Sequence, residues 1–383
     1  MSTFISISDV HHGAKSHESM REEFYAEGGF FDVLDATLPE EDFIGVAVTG
    51  DWFDKKLDMN DPRAKLGVSV MVDILNRCIQ YDKHLVVIRG TYSHDLNQLN
   101  VFEEFGALYE KFHLVNTVRE IKFGPLRTLC IPEEYPQDSD EYYADWFSKK
   151  YDLILGHGFF DFNCFDSNDA ERNIPQMPVF EADVICKLAP LTIFGHDHTH
   201  KDYKNKIFYN GSFSRLCHNE ETPKGFIYAE WDRKNPSVHL MENALAPRYI
   251  TVVLDVIVKR AKIDVNFEEL VKLIERTKVK ANAYDLKVKV TDYFTKEHKV
   301  TVELVKNHFL NQPGYRIESG RLNVLRDSEN VIEDSDEGEG DTTYDFLFEP
   351  TNIVDKVLKF IEVKHEGQYN LTRDQVAQSI SPV

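Results

Sequence analysis

Phe43-Ile-Gly-Val-Ala-Val-Thr-Gly-Asp-Trp-Phe-Asp54 opens as an apolar, partly β-branched run and stops at Gly50-Asp51. A run this short, closed by a glycine and a carboxylate, predicts a buried strand that delivers Asp51 to its C-terminal end. The same construction recurs through the first 246 residues. Phe4–Ser8, Leu85–Arg89, Leu153–Leu155 and Leu191–Phe194 are short apolar runs closed by Gly, Asp or His. Separated by helix-length stretches, they predict an α/β sandwich. Ile207–Asn210 and Phe226–Trp231 extend the pattern and predict a second sheet late in this region. Between the second and third runs, Leu66, Val70 and Ile74, flanked by Met71, Leu75 and Cys78, recur at helical spacing. That stripe predicts a core face or, over Leu66–Ile79, a dimer contact.

Five strand ends carry potential metal ligands: Asp9-Val10-His11, Gly50-Asp51-Trp52-Phe53-Asp54, Arg89-Gly90-Thr91-Tyr92-Ser93-His94-Asp95, Gly156-His157-Gly158 and Gly195-His196-Asp197-His198. Carboxylate and imidazole donors suit Mn²⁺, Fe²⁺ or Zn²⁺. Two such ions held about 3.5–4 Å apart clamp a phosphate and activate water for in-line attack. One carboxylate has to bridge them, and Asp51 on a central strand is the candidate. The flanking glycines permit tight turns and close approach of backbone to phosphate. Asp54 and Asp197 are expected to be structural, His12 to face away from the ligands, and His200 to sit on a solvated loop.

The formal net charge is −21, which argues against free-standing, high-affinity binding to duplex nucleic acid unless cations or a basic partner offset it. The five cysteines form no CxxC pair, which excludes a cysteine zinc site by spacing and predicts buried, reduced thiols. No run approaches the ~20 apolar residues of a membrane helix. Met1–Asp9 has no basic region ahead of an apolar core, so no signal peptide is expected and the default location is cytoplasmic.

Beyond residue 246 a smaller unit, 247–326, predicts a β-α-β-α order: a strand at Tyr249–Val258, a helix at Asn266–Arg276, a strand at Tyr284–Val290 and a helix at Val300–Leu310. Asp327 to Asp345 carries nine acidic side chains and no Lys or Arg, predicting a solvated linker over 327–348. Within 349–383, Asn352–Lys364 is amphipathic, and Thr372-Arg-Asp-Gln375 has the spacing of a capping box. Two short helices beyond a tether predict a docking segment for a partner protein.

The ordered set Asp-x-His, Gly-Asp-x-x-Asp, a Gly…His-Asp turn, Gly-His and Gly-His-x-His resembles the calcineurin-like metallophosphoesterases. Within them it is most similar to the SbcD-type nuclease subunit of double-strand-break repair, bacteriophage versions in particular. Tyr209-Asn-Gly-Ser-Phe-Ser-Arg215 resembles the segment that follows the last histidine motif in that group. The motifs cover residues 1–246; beyond them the likeness rests on domain order.

The resemblance implies a four-layer α/β/β/α sandwich with a smaller α/β capping domain and C-terminal partner-binding helices. It implies one metal held by Asp9, His11, Asp51 and His198, and a second held by Asp51, His157 and His196. His94 would be the catalytic histidine, with Asp95 orienting its ring, and Arg215 would contact a phosphate or pair with a ligand carboxylate. Ser93 stands where the family's third motif has its metal-binding Asn, after a two-residue insertion, which makes it a weak ligand or a supporting residue, with the second site weaker, completed by water or recruiting Thr91. The implied activity is that of a Mn²⁺-dependent DNA exonuclease and endonuclease, with Mg²⁺, Fe²⁺ and Zn²⁺ as alternative ions. The implied partners are DNA and an SbcC-type ABC ATPase, in a homodimer within a heterotetramer. A metallophosphoesterase acting on cyclic nucleotides or phosphoproteins, and an inactive scaffold, are the competing readings.

Overall fold

The computed structural model describes residues 1–319 other than 59, 96, 164–177, 218, 219, 221, 263, 282, 291–298, 311 and 313. The predicted acidic linker at 327–348 and the helices at 349–383 lie outside the described residues. Contacts divide the chain into Met1–Asn323 and Val324–Val383.

The chain is α/β. Its first strands are β1 (Ser2–Ile7), β2 (Phe43–Thr49), β3 (His84–Ile88) and β4 (Phe112–Val115), followed by β5 (Arg119–Phe123), β6 (Leu126–Ile131) and β7 (Leu153–His157). The two-residue strands β8 (Phe159–Phe160) and β9 (Val179–Phe180) pair with each other. Then come β10 (Leu191–Gly195), β11 (Lys201–Tyr203), β12 (Ile207–Tyr209), β13 (Gly225–Trp231) and β14 (Ser237–Glu242). Two six-stranded sheets result, ordered β14-β13-β1-β2-β3-β4 and β11-β12-β10-β7-β6-β5. The helices over the same stretch are α1 (His17–Tyr25), α2 (Phe30–Thr37), α3 (Pro62–Gln80), α4 (Glu103–Leu108), α5 (Ser139–Phe147) and α6 (Ala182–Leu188). Pairing is parallel along β1-β2-β3-β4 and along β6-β7-β10-β12. Their C-terminal ends therefore open onto common edges, where α/β sheets form clefts.

Alternation along each strand sends successive side chains to opposite faces. Phe4, Ala47, Val86 and Ile88 of the first sheet pack with Cys130, Leu155, Leu191 and Ile193 of the second in one buried cluster. The neighbouring residues Ile5, Val46, Val48 and Val87 face the other way, onto Phe24, Leu34, Val70 and Ile74 of α1, α2 and α3. On the far face of the second sheet, Leu129, Ile154 and Phe194 meet Tyr143 of α5 and Ile185 of α6. Burial of each Val, Leu, Ile or Phe side chain among them contributes roughly 1.5–3 kcal/mol relative to exposure.

The α3 stripe is core: Leu66, Val70, Met71, Ile74, Leu75 and Cys78 are all buried. Ile207–Asn210 and Phe226–Trp231 do not share one sheet. β12 lies beside β10, whereas β13 runs antiparallel to β1. A strand's partner depends on long-range pairing, which a local run does not encode. Among the cysteines, Cys78 and Cys130 are buried as expected, but Cys186 is half-buried and Cys217 exposed.

Residues from Arg248 onward build a third sheet of β15 (Arg248–Val253), β16 (Ala283–Val290) and β17 (Tyr315–Ser319). It packs with α7 (Leu254–Ala261), α8 (Phe267–Ala281) and α9 (Lys299–Phe309). The predicted strand Tyr249–Val258 is in fact split, since the strand ends at Val253 and α7 begins at Leu254. Its β-branched composition favours a strand locally, but Leu254 and Val258, one helical turn apart, both enter this core.

His12 illustrates the cost of burying a titratable ring. It is fully buried, stacks on Phe24 at 5.5 Å, and has no hydrogen bond to either ring nitrogen among the described residues. Burial, aided by nearby Lys15, pushes its pKa down to about 3. Between about pH 3 and 6.5 the unfolded chain therefore binds a proton that the folded chain refuses, so stability falls as pH falls through that window. From pH 7 to pH 5 this one group should remove about 2 kcal/mol. Urea melts of His12→Phe at the two pH values should show that much less acid destabilisation than the parent. Identical losses in both proteins would assign the acid sensitivity elsewhere.

Candidate metal centre

Asp9 and His11 follow β1, Asp51 follows β2, His157 ends β7, and His196 and His198 follow β10. Each turn bends back sharply. Asp9, His11, Asp51 and His196 have φ values of 49°, 52°, 49° and 99°, four of the eight non-glycine residues with positive φ among the described residues. Left-handed backbone costs a non-glycine residue on the order of 1–3 kcal/mol and persists where the surroundings impose it, commonly at functional sites. The glycines serve close approach. A Cβ on Gly90 would stand 2.2 Å from the Asp51 backbone nitrogen and from its Oδ1, and one on Gly50 2.2 Å from His157 Nδ1.

These turns assemble two donor groups, Asp9–His11–His198 and Asp51–His157–His196, each with its ligand atoms within 4.8 Å of one another. Asp51 spans both: its Oδ2 is 3.3 Å from His157 Nε2 and 3.9 Å from His11 Nε2. In the first group, His11 Nε2 and His198 Nε2 face each other at 3.1 Å, and His198 Nε2 lies 3.8 Å from Asp9 Oδ1. In the second, His157 Nε2 and His196 Nδ1 are 3.3 Å apart.

Hydrogen bonds at the remote nitrogens set the rings. His157 Nδ1 lies 2.8 Å from the Thr49 carbonyl, an acceptor only, so Nδ1 carries the proton and Nε2 is turned to the cluster. His198 Nδ1 meets Glu220 Oε1 at 2.9 Å, the carboxylate–histidine arrangement that commonly backs a metal ligand. The His196 backbone N–H donates to both Asp9 carboxylate oxygens at 3.1 Å.

Charge is balanced internally. Burial disfavours the Asp51 anion, yet His157, His11 and His94 together hold its pKa well below the ordinary range. Burial likewise opposes a charged His157, but Asp51, then Asp9 and Glu133, lift it well above the ordinary value. His198 is lifted against burial to about 9 by Glu220 and Asp9. For His11, burial wins and the pKa drops well below the usual range. Protons on imidazoles thus offset a concentration of buried carboxylate, a role a divalent cation can take over with proton release. The carboxylate and imidazole donors, all close together, fit such an ion.

His94 is half-buried and joins this cluster, its ring edge-on to His11 with centroids 4.8 Å apart, in a group that also includes Asp54. Its Nδ1 has no hydrogen bond among the described residues. Asp95 does not orient that ring. Its carboxylate accepts the backbone N–H groups of Phe53 and Gly90 at 3.1 and 2.8 Å, tying the turns after β2 and β3 together. The backbone of His94 is instead held by Gln98, whose Nε2 donates to the His94 carbonyl at 2.6 Å. Ser93 is exposed on the turn. Thr91 takes the inner position: its N–H donates to Asp51 Oδ1 at 2.6 Å, and its hydroxyl lies 3.1 Å from Asp51 Oδ2. Arg215 is buried, and its guanidinium bonds the carbonyls of Thr222 and Ala246, at 3.2 and 3.5 Å, rather than a ligand carboxylate. Asp197 is structural, as expected: it accepts the Thr199 N–H at 2.8 Å and pairs with Lys201.

Two acidic residues were missed. Glu220 lies on a polar stretch with no strand before it. Glu133, 1% exposed, follows β6 and places its Oε2 3.2 Å from His196 Nδ1. Burial opposes the Glu133 anion, but His196 and His157 hold its pKa below the ordinary value. The apolar run Leu129–Ile131 ahead of Pro132-Glu133 has the same run-then-carboxylate form as the predicted ligands, and could have revealed it.

A cavity of about 570 Å³ lined by Arg127, Lys150, Lys187, Lys206 and Arg233 lies at the starts of β6 and β7, the ends remote from Glu133 and His157. No helix among the described residues is long and apolar enough to cross a membrane.

No protein-family model matches the chain, and no curated protein matches it. Solved structures with some likeness include the phosphopantetheinyl hydrolase from Mycobacterium tuberculosis, 13% identical with a TM-score of 0.32, over 55% of this chain and 90% of that one. Another is a protein of unknown function from Aquifex aeolicus, 14% identical with a TM-score of 0.21, over 49% of this chain and 94% of that one. Likenesses this low carry no argument about fold or activity.

Proposed function

We propose that this chain is a dinuclear-metal phosphodiesterase of the calcineurin-like kind, an SbcD-type nuclease that cuts DNA with Mn²⁺. The observation that carries the reading is Asp51, whose one carboxylate oxygen faces His11 of one donor group and His157 of the other, at 3.9 and 3.3 Å. The core clusters on both faces of each six-stranded sheet support the four-layer sandwich.

Asp9, His11, Asp51 and His198 would hold one ion; Asp51, His157 and His196 would hold the other. The bound pair supplies neutralisation of phosphate charge and activation of water for in-line attack. The remaining work falls to side chains. The Thr49 carbonyl and Glu220 fix the tautomers of His157 and His198, so both rings offer a lone pair inward. His94, half-buried beside His11, would give a proton to the leaving oxygen. An SbcC-type ATPase partner and dimerisation belong to this proposal by sequence resemblance, and a basic partner surface would counter the net charge of −21.

The test is a panel of linear duplex DNA, single-stranded DNA, a cyclic nucleotide and a phosphopeptide, each with Mn²⁺ and with chelator. Chelator-sensitive cutting of DNA, well above turnover of the other two substrates, is expected. Preference for the cyclic nucleotide or the phosphopeptide would replace the nuclease reading, and inertness toward all four would leave a scaffold.

A further inference from the structure

We propose that Glu133 is a direct ligand of the second cation, completing the Asp51–His157–His196 group in place of the amide donor that the turn after β3 lacks. The inference rests on the dinuclear reading above.

The side-chain geometry distinguishes a ligand from a residue that merely orients one. An orienting carboxylate holds the imidazole nitrogen remote from the metal, as Glu220 does for His198 through Nδ1 while Nε2 faces Asp9. Glu133 does the opposite. Its Oε2 lies 3.2 Å from His196 Nδ1 and 3.6 Å from His157 Nε2. Those are the same two nitrogens that meet each other at 3.3 Å, and the same His157 nitrogen that meets Asp51 Oδ2 at 3.3 Å. Donors each about 2.1 Å from one ion are separated by about 3.0 Å at right angles and about 3.4 Å at tetrahedral angles. Of the six edges among these four donor atoms, two oxygens and two nitrogens, four measure 3.2, 3.3, 3.3 and 3.6 Å. They have the spacing of one coordination shell.

The position is also built to hold a carboxylate. Glu133 is buried, its backbone N–H donates to the Arg89 carbonyl at 3.2 Å, and Arg89 returns a guanidinium bond to the Glu133 carbonyl at 3.1 Å. That exchange ties the end of β6, in the second sheet, to the end of β3, in the first. The other oxygen, Oε1, accepts the Tyr135 hydroxyl, leaving Oε2 toward the histidines and the Thr91 hydroxyl at 3.2 Å.

Calorimetric titration of Mn²⁺ into the full chain, with electron paramagnetic resonance on the loaded protein, tests this without an activity assay. The parent should take up two ions with a spin-coupled signal. Glu133→Ala should weaken the second ion by more than ~100-fold, beyond the 10–100-fold typical when only a supporting group is lost. Glu133→Gln, which keeps an oxygen donor, should fall between, and Ser93→Ala should match the parent. Two ions in Glu133→Ala, with the second weakened by no more than ~100-fold and coupling intact, would overturn the assignment while leaving the dinuclear site standing. A parent that binds no Mn²⁺ would remove both. Anomalous scattering from Mn²⁺-soaked parent crystals needs no variant. An ion bonded to His157 and His196, with Glu133 Oε2 outside ~2.5 Å, would equally overturn it.

Discussion

Asp51→Asn should reduce Mn²⁺-dependent DNA hydrolysis by ~10³-fold or more and lower the count of tightly bound ions from two. The shared carboxylate is the only residue common to both proposed ion positions, and a neutral amide in its place removes an anion from both at once. Metal clamping of a phosphate supplies several kcal/mol of transition-state stabilisation, and each 1.36 kcal/mol is tenfold in rate. The substitution is nearly isosteric, and its Oδ1 can still accept the Thr91 N–H that Asp51 accepts at 2.6 Å, so the turn after β2 should keep its shape. His198→Ala is the informative comparison, because His198 belongs to one group only. Its loss should spare one ion, and combining it with Asp51→Asn should add little. The readouts are bound Mn²⁺ per chain and initial rates on linear DNA. An Asp51→Asn protein that keeps two ions and a rate within tenfold of the parent would dismiss Asp51 as a bridge.

The residues that the sequence made legible share one local rule, an apolar run ending in a turn that carries Asp or His. Asp9, His11, Asp51, His157, His196 and His198 all satisfy it, and parallel pairing of their strands brings them together. What stayed hidden depended on information that is not local. Ser93 was aligned by its distance from His94, but the extra residues of the turn leave it exposed and put Thr91 inside. Asp95 sits next to His94 in sequence, yet its bonds go to Phe53 and Gly90 because the turn needs its backbone groups satisfied. Glu133 follows the same local rule, but its place beside His157 and His196 depends on the ends of β3 and β6 adjoining. At Leu254, a largely apolar run conceals a change from strand to helix, since Leu254 and Val258 pack at a helical spacing.

His94→Ser should cost ~10²–10⁴-fold in DNA hydrolysis, the usual worth of a positioned general acid, while two Mn²⁺ ions remain bound. That combination would separate His94 from the ligands. Its ring stands edge-on to His11 at 4.8 Å, half-buried, and its Nδ1 is buried with no hydrogen bond among the described residues. Gln98 fixes the loop through the His94 carbonyl, so removing the imidazole need not release the backbone. If the ring donates a proton to the departing alkoxide, the penalty should shrink on a phosphodiester whose leaving group needs no proton. Bis(p-nitrophenyl) phosphate supplies that case, and His94→Ser should lose far less on it than on DNA. An equal loss on both substrates would mean that His94 acts on the phosphate or the ions rather than on the leaving group. Loss of an ion in the same variant would place it among the ligands, with His11 and Asp54 as its neighbours.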